Sequence, residues 1–387
     1  MSFLSRLLGA PEAKRSRTAA LVALSPLGRP SWSSPEPKRF HAEALAKNPV
    51  AARAVARVAR AAAEIPFQFT EGGADASAHP VALLIERPNE TQDRVALTEM
   101  LATHLLLTGN AYVEAVTVED RLRELHVLRP DRMRLVPGAD SRPAAYLYEL
   151  DGRSLRFAQE GAVPPVLHLT LPHPFDDHFG LSPLGAAASA IDIHNAATAW
   201  TKALLDNAAR PSGALVYSGG DGTLSEDQYE RLKAELADSF SGSRNAGRPL
   251  LLEGGLDWKA LSLSPKDMDF MEAKHGAARE IALAFGVPPL VLGIPGDATY
   301  ANYQEANRAF HRDTALPLAR RIMGALAGWL VPEATLHATP DEDAIGALHA
   351  ERESLWRRIG AAGVLSEGEK REALGYCLLY TSPSPRD

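Results

Sequence analysis

Two long helical patterns lie on either side of a segment rich in Gly and Pro. In the first, apolar residues recur with the spacing of one helix face at Phe270, Ala277, Ile281 and Phe285. Ser264, Pro265 and Asp267 form a typical helix start, so this helix is predicted to begin there. Gly286 is the predicted C-cap, and the following Pro288 and Pro289 prevent continuation.

The second pattern runs through residues 303–331, and a proline lies inside it. Pro317 removes the hydrogen bond to the Asp313 carbonyl and is therefore predicted to kink the helix. The intervening residues 287–302 are predicted to be a loop, because Gly, Pro, Asp and Asn dominate them.

Short alternating patterns and further helical patterns precede this region and predict an α+β domain with a mostly antiparallel sheet. The predicted helices are 42–64, 79–87 and 93–108, and the predicted strands are 66–70, 110–116, 122–128, 133–136, 144–150 and 166–171. In the first helix a buried stripe opposes Arg53, Arg57 and Arg60. These arginines form a solvated face or, as the alternative, a basic surface for nucleic acid or acidic partners.

A helix is predicted over 182–209, because Ser182 is a good cap and Pro183 fits the first position. Its predicted apolar stripe is Ile193, Ala197, Trp200 and Leu204. Residues 210–263 are predicted to be a compact insertion with a strand at 213–217, a helix at 225–239 and strands at 249–252 and 258–263. Helices are predicted again over 341–359 and after a capping box at Ser366.

The two ends of the chain differ from the rest in composition. Residues 1–40 are rich in proline and are predicted to be a flexible arm. The only cysteine, Cys377, opens the tail 377–387, which we interpret as the translation of a common transposase sequencing adapter. The alternative is an ordinary disordered Ser/Pro tail. If the adapter interpretation holds, the remaining chain has no cysteine for a disulfide, a thiol nucleophile or a metal site.

Composition narrows the classes of function. No apolar run approaches the roughly 18–20 residues of a membrane span, so no membrane partner is expected and the chain is expected to be made in the cytoplasm. A net charge of −7 argues against bulk electrostatic adhesion to nucleic acid.

The sequence lacks the motifs of common catalytic sites, including the phosphate loop, the nucleophile elbow and the HExxH zinc motif. The strongest candidate for chemistry is the run from His173 to His178, which holds two imidazoles and two carboxylates. It is read either as a polar loop or as a divalent-metal site, which would make the protein a metal-dependent hydrolase. Since Pro174 and the tight spacing disfavour a convergent set of ligands, we expect no metal, no cofactor and no catalytic residues.

Several motifs resemble the portal protein family of tailed bacteriophages, including the portals of phage-like gene transfer agents. The resemblance covers about residues 41–374, and its most specific part is the run Phe285, Gly286, Val287, Pro288, Pro289 with the following Gly293. Similar residues also occur at 88–89, 107–112, 128–130, 179–184, 279–282 and 300–303.

The resemblance implies a portal-type fold and a division of the chain. Its parts are a wing (41–181), a stem helix (182–209), a clip (210–263), a second stem helix (264–286), a tunnel loop (287–302), a kinked helix (303–331) and a C-terminal helical region (332–376). It further implies a non-enzymatic ring of twelve copies at one capsid vertex of a virion assembled in the bacterial cytoplasm. Double-stranded DNA would pass through the channel, and the terminase large subunit, the major capsid protein and a head–tail adaptor would be partners. The channel residues would include Asp297, Thr299, Tyr300 and Asn302 of the tunnel loop.

Overall fold

The computed structural model describes residues 44–119, 121–138, 142–206, 213–217, 256–260, 270–296, 299–333 and 335–374. The predicted arm at 1–40, the helix predicted at 225–239, the strand predicted at 249–252, the start signal at Ser264 and the tail 377–387 lie outside these residues.

The described residues form helices and strands with the following bounds. The helices are α1 (Pro49–Ala63), α2 (Pro80–Glu86), α3 (Arg94–Thr108), α4 (Pro183–Ala186), α5 (Ala188–Asp206), α6 (Phe270–Ala284), α7 (Pro289–Leu292), α8 (Tyr300–Phe310), α9 (Leu316–Leu330), α10 (His349–Gly360) and α11 (Glu367–Ala373). The strands are β1 (Phe67–Glu71), β2 (Ala74–Asp75), β3 (Asn110–Val118), β4 (Arg121–Leu128), β5 (Met133–Pro137), β6 (Pro143–Leu150), β7 (Arg153–Ala158), β8 (Val166–Thr170), β9 (Gly213–Tyr217), β10 (Leu256–Ala260) and β11 (Leu336–Pro340).

The strands form small antiparallel sheets, which confirms the predicted α+β class. Their orders are β4-β3-β8, β5-β6-β7, β11-β1-β2 and β9-β10. One hydrophobic core runs from α1 and α3 into α6 and α9, and its fully buried side chains include Leu101, Ile281 and Ile322. None of the described helices is long and apolar enough to cross a membrane.

Three strands were not predicted. The two-residue strand β2 and strand β7 lie in residues for which no strand was predicted, and β11 lies in residues 332–376, which were predicted to be helical. Strand β11 pairs with β1 over the register from Phe67 opposite Pro340 to Glu71 opposite Leu336. This pairing joins residues distant in sequence, and only Leu336 of the strand is buried, so the local pattern was too weak to reveal it.

The predicted helix at 182–209 is divided at Ala187, and of its predicted apolar stripe Ala197 is buried whereas Ile193 is not. Ile193 is 41% exposed, whereas Ile191, His194 and Ala197 are buried. Trp200, which was expected to be packed, is only half-buried. The buried face contains the small residues Ala187 and Ala190, which suit the close packing of α5 against α6 better than the larger side chains do.

Helix starts follow their side-chain caps. Residues 44–47 are helical, in agreement with the helix predicted from residue 42, but the helix is interrupted at Asn48. Helix α1 then begins at Pro49, because the Asn48 side chain accepts hydrogen bonds from the amides of Val50 and Ala51. The predicted capping box at Ser366 is present with Glu369 as its partner.

Two glycine backbones meet where the N-terminal α+β part reaches the helix cap at Ser182. Gly109 ends α3 with a φ of 76°, and its carbonyl accepts a hydrogen bond from the Leu171 amide at 2.8 Å. A Cβ at Gly109 would lie 2.4 Å from the Gly180 carbonyl oxygen, and a Cβ at Gly180 would lie 2.0 Å from the Gly109 oxygen. Only glycine fits at either position.

A chain of hydrogen bonds surrounds this glycine contact. Asn110 Oδ1 accepts hydrogen bonds from the Gly180 amide at 2.9 Å and from His168 Nε2 at 3.0 Å, while Asn110 Nδ2 donates to the Thr108 carbonyl. Burial lowers the pKa of His168 to about 4, so the imidazole is neutral near pH 7. Since Nε2 of this neutral ring donates, Nδ1 accepts a hydrogen bond from the Tyr146 hydroxyl at 3.2 Å.

The glycine contact gives a prediction about stability. Gly109→Ala should cost at least about 3 kcal/mol, since it adds a backbone clash to the cost of a left-handed conformation. Gly72→Ala is the matched control, because Gly72 has a φ of 58° but nothing within 4 Å of its Cβ position, and it should cost only about 1 kcal/mol. Urea unfolding of both variants measures the difference, and equal losses would contradict the close approach.

His168 gives a prediction about pH. Because its folded pKa lies below the ordinary value of 6.5, its neutral state stabilises the fold fully above pH 6.5, and this contribution is lost as the pH falls towards about 4. Wild-type protein should lose about 2 kcal/mol more than His168→Gln over this interval. His104, whose pKa burial also lowers to about 4, is common to both proteins, so the subtraction isolates His168. Parallel stability–pH curves would refute the assignment.

Candidate functional site

The motif from Phe285 to Pro289 ends α6 as predicted. Gly286 has a φ of 64°, its amide donates to the Leu283 carbonyl, and the Val287 amide donates to the Ala282 carbonyl, both at 2.9 Å. These two bonds define a Schellman motif. Phe285 is packed, as predicted, with 3% of its surface exposed.

Gly286 also contacts the segment that connects α8 and α9. The Thr314 hydroxyl donates to the Gly286 carbonyl at 2.6 Å, and a Cβ at Gly286 would lie 2.7 Å from Thr314 Oγ1. The end of α6 is thereby fixed against residues 311–315. Thr314 carried no sequence signal of this role, because the contact depends on the tertiary fold.

The connecting segment, His311–Ala315, is a π-helical turn. The Leu316 amide reaches back five residues to the His311 carbonyl, and Pro317 follows it at the start of α9. The predicted disturbance of the helix near Pro317 therefore takes the form of an inserted residue, a common cause of bends in helices. The angle between α8 and α9 stays a prediction.

The loop predicted at 287–302 is shorter than expected. Residues Pro289–Leu292 form the short helix α7, which Gly293 caps with a φ of 77°. Thr299 caps α8 by accepting a hydrogen bond from the Asn302 amide at 3.2 Å, so Tyr300 and Asn302 lie in a first helical turn rather than in a loop. Asp297 lies outside the described residues.

The first turns of α8 project from the core of the subunit. The five consecutive residues 301–305 are all exposed, and Tyr303 is among the exposed large side chains. Since five helical positions cover every face of a helix, each face of this stretch is exposed to solvent. Arg279 of α6 ties the preceding loop to the body by donating to the Pro295 carbonyl at 2.6 Å.

Residues 295–305, which we call the projecting segment, carry no positive charge. From Gly286 to Asn307 the sequence has no Lys, Arg or His, and its acidic residues are Asp297 and Glu305. Further along α8, Arg57 of α1 donates to Asn307 Oδ1 at 3.2 Å and lies 5.0 Å from the centre of the Phe310 ring. The middle arginine of the predicted basic stripe thus supports packing.

The run from His173 to His178 is a structured loop. His173 Nδ1 accepts the Phe175 amide at 3.1 Å, and Asp176 Oδ1 accepts the His178 and Phe179 amides at 2.8 and 3.0 Å. Partial burial acts to raise the pKa of Asp176, but these hydrogen bonds and the nearby imidazoles outweigh it and lower the pKa. No group of three or more potential metal ligands converges among the described residues, and the metal-dependent hydrolase reading has no support.

Comparison with known proteins gives a consistent result. The family model described as phage portal protein matches residues 49–375. The portal protein of Enterobacteria phage HK97 is 25% identical over 305 residues, which are 76% of this chain and 69% of that protein.

Two solved structures of gene transfer agent (GTA) particles are similar over most of their chains. One, the neck of an empty GTA particle computed with C6 symmetry, is 54% identical, has a TM-score of 0.71 and aligns over 91% of this chain and 96% of its own. The other, the neck of a native GTA particle computed with C12 symmetry, is 52% identical over the same shares with a TM-score of 0.68. The motifs, the fold and these matches agree, and the chain belongs to the phage portal protein family.

Proposed function

We propose that twelve copies of this protein form a ring at one capsid vertex of a phage or gene transfer agent particle. The observation that carries the proposal is 54% identity, over 96% of the matched chain, to a protein in the neck of such a particle. The C6 and C12 symmetries used for the particles favour a cyclic ring. Double-stranded DNA enters and leaves through the axial channel.

The ring acts as a conduit and a docking platform. The terminase large subunit supplies the driving chemistry from outside, while the head–tail adaptor and the major capsid protein bind the ring's outer surfaces. The lack of a phosphate loop and of a nucleophile motif in the sequence supports a role without catalysis.

The segment from Pro295 to Glu305 lines the narrowest part of the channel. Its support is the exposure of every residue from 301 to 305, which leaves this stretch available to something outside the subunit. Thr299, Tyr300 and Asn302 belong to it, and Asp297 falls within its sequence.

The charge of this segment suits passage of DNA. Each phosphate that is neutralised by Lys or Arg adds salt-dependent affinity, so a cationic collar would hold the duplex instead of letting it slide. A stretch with two acids and no basic residue avoids such binding. Polar side chains such as Asn302 can still form weak contacts with the sugar–phosphate backbone of the DNA.

Assembly state tests the proposed function directly. Purified protein should elute either as a large ring or as a subunit in reversible equilibrium with rings, measured by size exclusion with static light scattering and confirmed by electron micrographs. A small species that never forms rings and turns over a substrate only with a divalent metal would instead support the hydrolase.

A charge change in the projecting segment tests whether this segment lines the channel, and a matched charge change elsewhere is the control. Asp297→Lys should leave ring assembly intact but slow DNA packaging, and the defect should shrink as salt rises, because it places a ring of positive charge beside the duplex. Asp177→Lys makes the same charge change at an exposed position in the loop before α4 and should package normally. The readout is DNA length per particle. Normal packaging by Asp297→Lys would exclude the segment from the channel wall.

A further inference from the structure

A cavity with basic walls lies beside the start of the projecting segment. It has a volume of about 300 Å³ and lies between the first turns of α1, the middle of α5, the first half of α6 and the residues after α7. Its main lining side chains are Arg53, His194, Lys274, His275, Leu292 and Ile294. No carboxylate is among the described residues that line it.

His194 is the buried donor at this cavity, and its tautomer follows from its neighbour. Asn48 Oδ1 is held by the Val50 and Ala51 amides, so Asn48 Nδ2 is the atom that faces His194 Nδ1, at 3.3 Å. His194 Nδ1 must then accept, and a neutral imidazole carries its proton on Nε2. Nε2 is therefore a hydrogen-bond donor on a side chain that is only 4% exposed.

The charged groups around His194 favour an anion. Burial, together with the positive charges of Lys274 and His275, lowers the pKa of His194. Arg53 adds a permanently charged guanidinium to the same wall. Cationic and N–H groups from α1, α5 and α6, together with the aliphatic side chains of Leu292 and Ile294, match the requirements of a small oxyanion.

We propose that this cavity is an oxyanion site that a carboxylate of a second copy of this chain fills in the assembled ring. The inference rests on the proposed ring. In the ring, the carboxylate of one subunit would contact His194, Lys274 and Arg53 of its neighbour.

Charge complementarity supports a second copy as the source of the anion. The chain has 48 Asp and Glu and a net charge of −7, so a second copy can supply the carboxylate. The surroundings also have the composition of an interface. Met271 lies one turn before Lys274 and His275 on the same face of α6 and is 56% exposed, and Ile193 of α5 is exposed as well.

A DNA phosphate suits the cavity less well. The phosphates of a duplex lie on the surface of a stiff rod between their sugars, whereas a donor as buried as His194 is reached by a side chain. A cationic site on the path of the duplex would also retain the DNA, contrary to the charge of the projecting segment.

Zero-length cross-linking tests the contact. Rings assembled from a mixture of ¹⁴N- and ¹⁵N-labelled full-length subunits are treated with a carbodiimide, which joins a lysine amine to a carboxylate in contact with it. We expect mixed-isotope peptides that link Lys274 to an Asp or Glu, and no such peptides from unassembled subunits. Micrographs establish that rings are present, so absence of rings counts against the proposed function and not against this contact.

Two variants separate the charge of residue 274 from its amine. Lys274→Arg should assemble like wild type but yield no cross-link at this position, because guanidinium does not react. Lys274→Met should need about tenfold more protein to reach half assembly. Rings that form normally with Lys274→Met, and without mixed-isotope links at Lys274 in wild type, would overturn the proposal.

Two further measurements distinguish a free anion and DNA as alternative occupants of the cavity. A free anion would make inorganic phosphate raise the melting temperature of unassembled subunits more than chloride at equal ionic strength, with no cross-link at Lys274. DNA would protect Lys274 from acetylation only in filled particles. Either result in place of the cross-link overturns the assignment to a second copy.

Discussion

The approach of two backbones at Gly109 and Gly180 constrains how the N-terminal α+β part joins the long helices. No side chain separates the two chains there, so the Leu171 amide and the Ser182 hydroxyl reach carbonyls at the end of α3. The path into α4 and α5 follows from this contact. The hydrogen-bonded set of Tyr146, His168 and Asn110 surrounds it, so two of the small sheets and the Ser182 cap of α4 share one anchor.

The contact between Gly286 and Thr314 is a second close contact at a glycine backbone, but it acts on a different part of the chain. It fixes the two ends of a segment in which the five residues 301–305 are all exposed. Such a distribution of contacts concentrates stability at the ends and leaves the intervening turns with little of it. A segment that must face a moving duplex benefits from this, because its own rearrangement costs little while the core keeps its packing.

How much of this was predictable depends on the range of each interaction. Caps and terminators at Ser182, Gly286 and Ser366 are local, and the sequence indicated each of them. The pairing of β11 with β1, the π-helical turn and the phase of the buried face of α5 depend on packing between distant elements, which no local pattern contains. For the candidate site, the motif was predictable, whereas the Thr299 cap moved Tyr300 and Asn302 from a loop into a helix.

The π-helical turn has a consequence for the rotational phase of the two helices that it joins. One added residue turns everything after it by about 100° about the helix axis. Without the addition, the face of α9 that carries Ile322, Met323 and Leu326 would point away from the core that now covers it. The turn at His311–Ala315 thus lets the buried face of α9 be set by the core, while the orientation of α8 is set separately. Because the π-helical turn separates the rotation of α8 from that of α9, the exposed surface of α8 can change while the packing of α9 in the core stays the same.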